Sequence, residues 1–157
     1  MDKSGKMSHK LSFSANSGRR GNSLLEFSLL FPWLFFLVIG TFDFGFFAYA
    51  LMATQGAARE AGIYCASSSS TASDSTTACG YALDQLRGMP NIGMGLTTCD
   101  SAPLTVTSTL VSGASSPDGM NAASVVVTYV SPQLIPIPGI FPGQLTITRT
   151  VLMRTRS

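Results

Sequence analysis

The sequence predicts an α+β fold in which a long N-terminal membrane-spanning helix is followed by a short helix and a three-stranded antiparallel sheet. Only 11% of the 157 residues are charged, about half the share in a typical soluble domain. Charge almost vanishes from a long apolar segment near the N-terminus, and the hydrophobic period changes to two towards the C-terminus. These observations indicate one membrane segment and one head domain with a single small core.

The apolar segment that follows residue 21 is long enough to cross a bilayer. Its only ionisable residues before residue 59 are Glu26 and Asp43. At about 1.5 Å per residue, a helix over its apolar part would be roughly 48 Å long, against a hydrocarbon core of about 30 Å. We therefore predict a helix over 22–66 with a transmembrane part at about 24–53. Pro32 should kink this helix or end its first part.

The charge distribution orients this segment. Residues 1–21 contain five Lys or Arg and one Asp, whereas residues 22–157 contain five Arg and seven Asp or Glu. The positive-inside rule therefore keeps the N-terminus in the cytoplasm and places the head outside it. We interpret 1–21 as a basic leader, and the apolar segment is too long for an ordinary secretory signal. A nucleic-acid-binding protein would carry its basic residues on the folded domain, so no nucleic-acid partner is expected.

The rest of the sequence divides into a linker and a head domain. Residues 67–77 are rich in Ser and Thr and predict a polar linker. Residues 78–157 predict a small α+β head that begins with a short helix, for which Asp74 or Ser75 is the expected N-cap.

Three segments of alternating, mostly β-branched residues predict an antiparallel meander with helix against one face: LTVTSTLV, SVVVTYV and QLTITRTVLMR. The connection before the last strand contains LIPIPGIFP, residues 134–142, whose three prolines exclude a central strand. Because this loop is apolar, we expect it either to fold over the sheet edge as part of the core or to form a membrane-proximal or subunit contact.

Residues suited to catalysis or metal binding are scarce in this sequence. His9 is the only histidine, the three cysteines form no CxxC pair, and no nucleophile elbow, P-loop or HExxH motif is present. The sequence therefore predicts no enzyme, no cofactor and no metal site.

All three cysteines follow the membrane helix, so the predicted topology places them in an oxidising compartment. A disulfide between Cys79 and Cys99 would close a loop of about twenty residues, worth roughly 3 kcal/mol in the chain-entropy model. We predict this pair, with Cys65 free or paired between subunits. A disulfide between Cys65 and Cys79 across the linker is the alternative.

The segment RRGNSLLEF, residues 19–27, resembles the processing site of type IV prepilins of the Flp or Tad type. The resemblance implies that a prepilin peptidase cuts after Gly21, so that Asn22 becomes the first residue and Glu26 the fifth, followed by the aromatic Phe27. A carboxylate in a membrane helix is costly without a partner. In this family Glu26 would meet the new α-amino group of Asn22, whereas by itself it is equally explained as an interfacial acid favoured by the helix dipole.

Longer segments resemble the TadE-like minor pilins, namely LLEFSLLFPWLFFLVIGTFDFG, QGAAREAGIYCA and, more loosely, the last two strands with their apolar loop. The resemblance implies a type IV pilin-like fold and a minor pilin or pseudopilin that takes part in assembly of a Tad pilus for adhesion and surface attachment. Its implied partners are a prepilin peptidase, other pilin and minor pilin subunits, the inner-membrane assembly platform and membrane lipid. It would reside in the inner membrane with an extracytoplasmic head, or in the extracellular pilus.

Two questions stay open at the level of sequence. Asp43 follows Glu26 by about 25 Å along a helix, and it lies either at the opposite membrane interface or in an assembly contact with another subunit. The other class of function compatible with the sequence is an unprocessed single-pass membrane protein whose extracytoplasmic head binds a protein partner.

Overall fold

The computed structural model confirms the α+β class, with a long apolar helix, a short helix and an antiparallel sheet. Most of the predicted leader and the whole apolar loop 134–142 lie outside the residues that the structure describes. The described residues are 20–93, 95–115, 119–132 and 144–156.

The first helix, α1, comprises Arg20–Cys65 and is 46 residues long. It continues through Pro32, so the alternative in which this proline ends the first part of the helix is wrong. The ring removes a single backbone donor, and the apolar residues on both sides keep the helical conformation. Two hydroxyl groups within the apolar part donate to backbone carbonyls of the same helix, Ser28 to Leu25 O and Thr41 to Leu37 O.

The chain divides into two compact units, residues 1–41 and 42–157. The described part of the N-terminal unit is the first half of α1, in which every side chain over 23–38 is exposed. The C-terminal unit contains the second half of α1, which is partly buried, together with the short helix and the sheet.

The short helix, α2, comprises Ser75–Leu86 and is capped by Asp74, whose carboxylate accepts a hydrogen bond from the Thr77 N–H at 3.1 Å. The Ser/Thr-rich segment before it is folded. The Thr71 hydroxyl accepts a hydrogen bond from the Ser68 N–H at 3.1 Å, and the Ser68 hydroxyl accepts one from the Thr71 N–H at 3.2 Å. A 3₁₀ helix comprises Thr71–Ser73. Short hydroxyl side chains thus supply the backbone partners that a flexible linker would take from water.

The sheet has four strands in the order β1-β2-β3-β4, all antiparallel, and not the predicted three. The additional strand contains only two residues, which is too short for an alternating pattern to reveal it. The strands are β1 (Asp100–Ser101), β2 (Leu104–Val111), β3 (Ala122–Val130) and β4 (Thr146–Arg154).

The core lies between the two helices and one face of the sheet. Alanines on α1 permit a close approach, and a Cβ added at Gly62 would lie 3.2 Å from Val151 of β4. The Ser75 hydroxyl of α2 accepts a hydrogen bond from the Ser108 N–H of β2 at 3.0 Å. The largest fully buried side chains of the sheet and the α2 region are Leu86, Met89, Leu104, Val125, Val127 and Tyr129.

Candidate processing and assembly site

The predicted processing site lies at the N-terminal end of the described part of α1, which comprises Arg20–Cys65. Gly21 and Asn22 are the second and third residues of that range.

Glu26 and Phe27 follow one turn later and are both exposed. In this single chain, no described residue forms an ion pair with Glu26. Helical side chains lean towards the N-terminus, so the Glu26 side chain extends over the preceding turn, which contains residue 22. An α-amino group at residue 22 would be one helical turn from Glu26 in the same chain.

The surface around Glu26 is apolar and aromatic. The rings of Phe27 and Phe31 have centroids 6.0 Å apart, and those of Phe31 and Phe35 are 6.2 Å apart, which forms a continuous row along the helix. Trp33 is 71% exposed. In water such a surface would be unfavourable, so it requires lipid or other helices around it.

Asp43, the second predicted assembly residue, belongs to the C-terminal unit and is half-buried. The aromatic residues Phe46 and Phe47 that follow it pack against the core. Asp43 is thus placed where the helix begins to be covered by the C-terminal unit.

The disulfide between Cys79 and Cys99 is present, with a Cα–Cα distance of 5.7 Å. This disulfide covalently links α2, which contains Cys79, to the residue that precedes β1. Cys65, at the end of α1, is buried and is not bonded to another cysteine.

The C-terminal end of α1 contacts α2 through Tyr64 and through Asp74, the N-cap of α2. The Tyr64 hydroxyl donates to the Asp74 carboxylate at 2.9 Å, and the Tyr64 ring stacks on Tyr81 with centroids 5.2 Å apart. Hydrogen bonds from the Thr77 side chain, the Thr77 N–H and Tyr64 hold the pKa of Asp74 below its ordinary value. The charged carboxylate therefore remains the cap in mildly acidic solution.

A buried polar pair that sequence reasoning missed lies at the end of β3. The Tyr129 hydroxyl donates to Asn91 Oδ1 at 2.6 Å, and Asn91 Nδ2 donates to the Val130 carbonyl at 2.7 Å. Tyr129 is fully buried, and this burial raises its pKa to about 12. The residues are 38 positions apart, so only their place in the fold brings them together.

We expect the C-terminal unit to lose stability as the pH rises from about 10 to about 12. The folded state holds the Tyr129 proton more tightly than the unfolded chain, so the stabilisation is complete below the unfolded pKa and disappears as the pH approaches the folded one. The loss should be about 2 to 3 kcal/mol. Thermal melting of the full chain in detergent at several pH values would measure it.

The matched variants for this experiment are Tyr129→Phe and Tyr81→Phe. The first should be less stable at neutral pH, because Asn91 loses its donor, and its melting should depend less on alkaline pH. Tyr81 is 46% exposed, so Tyr81→Phe should keep the wild-type pH dependence. Equal alkaline sensitivity in Tyr129→Phe and wild type would contradict the assignment.

Among the residues that the structure describes, no group of three or more His, Cys, Asp or Glu side chains could hold a metal ion. The N-terminal half of α1 combines a small residue at the beginning of its described range, one acid and an exposed apolar surface.

Comparison with known proteins gives a family match for this same segment. Residues 21–62 match the family model described as TadE-like protein. The match lies entirely within α1 and confirms the resemblance predicted from the sequence. No curated protein and no solved structure matches this chain.

The helix that carries the match is also suited to a membrane. Within the described residues, Ser23–Cys65 is the one helix that is long and apolar enough to cross a bilayer, with a mean hydropathy of 1.9. The segment that matches the family model is thus also the segment of the described chain that could cross a membrane by its length and composition.

Proposed function

We propose that this chain is a minor pilin or pseudopilin that takes part in assembly of a Tad/Flp-type pilus, for adhesion and surface attachment, after a prepilin peptidase has cleaved it behind Gly21. The observation that carries the proposal is the family match, which begins at residue 21 and includes Glu26, the one acid in the described part of the exposed N-terminal unit. The size of the C-terminal unit favours an accessory subunit.

Before assembly, α1 would hold the subunit in the inner membrane. The basic leader would stay in the cytoplasm, and the C-terminal unit would be extracytoplasmic. The Cys79–Cys99 disulfide supports this orientation, because structural disulfides form and persist in oxidising compartments.

During assembly, the exposed apolar side chains of the N-terminal unit would exchange lipid for the helices of other pilin subunits. A carboxylate transferred into such a bundle requires a cation and hydrogen bonds. Cleavage behind Gly21 would create a cation, the new α-amino group of Asn22, one helical turn before Glu26. The amine can come from the same chain or from a neighbour, and either pairing neutralises Glu26.

Phe27 and Asp43 complete the proposed assembly surface. Phe27, 59% exposed, begins the row of aromatic rings that would pack against a neighbouring helix. Asp43 offers a second carboxylate for a polar group of another subunit. The further partners are the prepilin peptidase and the inner-membrane assembly platform.

The mature N-terminus tests this function most directly. Mass spectrometry of the protein from membranes of the native host should find a chain that begins at Asn22 with an N-methylated amine. A host strain without its prepilin peptidase is the control and should retain the leader. A chain that begins at Met1 or Asp2 in the wild-type host would support the alternative of an unprocessed membrane protein whose head binds a protein partner.

A further inference from the structure

Arg149 is a charged residue on the face of the sheet that packs against the helices. On β4 it alternates with Ile147, Val151 and Met153, while the intervening residues face away. It pairs in register with the buried Val127 of β3. Its Nε atom is buried and makes no hydrogen bond within the part of the chain that the structure describes. The Arg149 residue as a whole is only partly buried. A rotation of its side chain can therefore present the guanidinium, Nε included, to an acceptor outside the chain.

A shallow groove gives Arg149 access to such an acceptor. It is lined by Arg149 of β4 and by Leu51, Met52 and Gln55 of α1, and its volume is about 300 Å³. A groove of this size can accommodate a phosphodiester group. Leu51 and Met52 are apolar, whereas Arg149 and Gln55 can donate hydrogen bonds. The groove therefore suits an amphipathic anion.

The groove lies where the apolar part of α1 ends. The predicted transmembrane part ends at about residue 53, between the groove residues Met52 and Gln55. A helix over 24–53 is about 45 Å long, the thickness of a bilayer including its headgroup regions. Residues 51–55 would therefore lie at headgroup depth, and Tyr49, half exposed one half-turn earlier, is a typical residue of that interface.

We propose that Arg149 binds the phosphate of a phospholipid headgroup in the extracytoplasmic leaflet, with Leu51 and Met52 against the apolar part of the lipid. The planar guanidinium donates two parallel hydrogen bonds to phosphate oxygens, a geometry that lysine cannot reproduce. The inference rests on the membrane topology of the proposed function and is independent of leader cleavage.

The test uses full-length protein in dodecyl maltoside, a detergent without phosphate. Melting of the C-terminal unit is followed by near-ultraviolet circular dichroism while phosphatidylglycerol is added to the micelles. Because a ligand that binds only the folded state stabilises it, the melting temperature of the wild type should rise by several degrees. A glucosyl diacylglycerol with the same acyl chains and inorganic phosphate should each produce little change.

Three variants complete the experiment. Arg149→Gln should abolish the shift, Arg149→Lys should retain a smaller one, and Arg154→Gln, five residues along the same strand and at its far end, should behave as wild type. The proposal is overturned if Arg149→Gln and Arg149→Lys both respond as wild type, or if inorganic phosphate alone produces the full shift. An absent response in a protein that is still cleaved behind Gly21 would reject the lipid site and leave the proposed function intact.

Discussion

Replacing Gly21 with leucine should leave an uncleaved precursor in the membrane. The prepilin peptidase must bring its catalytic groups to the carbonyl of this residue, and a branched side chain would occupy that space. The variant should still insert, because the basic leader and the apolar segment are unchanged. Leucine is also a better helix former than glycine by about 1 kcal/mol, so α1 should not be weakened at this position. Immunoblotting and mass spectrometry of membranes would detect the retained leader.

Gly40→Leu provides the matched control for this experiment. Gly40 is another glycine of α1, and a Cβ added there would meet no atom within 4 Å. This variant should be processed as wild type. Normal cleavage of Gly21→Leu would show that the peptidase does not act at this position, and it would remove the basis for placing the mature N-terminus at Asn22.

The elements of the fold were predictable where one physical signal extended over many residues. The near absence of charge from the apolar segment predicted α1, and the structure ends it at Cys65, one residue before the expected boundary. The N-cap of α2 was predictable because Asp is favoured at that position, where its side chain accepts hydrogen bonds from backbone N–H groups. Asp74 is the N-cap in the structure. The three long strands followed from period-two alternation.

The features that sequence reasoning missed depend on contacts between distant segments. The partner of Tyr129 is Asn91, which the pairing of strands and the loop after α2 bring into place. The two-residue strand β1 exists only because Asp100 and Ser101 pair with β2. Arg149 did leave a signal in the sequence, since it interrupts an otherwise apolar alternation in TITRTVLMR, but its meaning depends on the helix that covers that face.

Replacing Glu26 with glutamine should separate processing from assembly. The amide keeps the size and much of the hydrogen-bonding capacity of the carboxylate, and it is less costly to place in an apolar environment, so membrane insertion should be unimpaired. Cleavage behind Gly21 should largely persist. What is lost is the negative partner of the Asn22 amine, and removing one charge of a buried pair typically costs about 3 to 5 kcal/mol. The mature subunit should therefore accumulate in the membrane while pili are absent or reduced.

Glu60→Gln is the matched control, because Glu60 is an exposed acid of the same helix in the C-terminal unit. It makes the same chemical change far along α1 from the apolar surface and should leave piliation normal. Electron microscopy of surface pili, together with immunoblots of the mature subunit in the membrane and sheared-pilus fractions, measures both steps at once. Normal pili in Glu26→Gln cells would show that Glu26 is an interfacial acid without a partner, and the proposed pairing with Asn22 would be wrong.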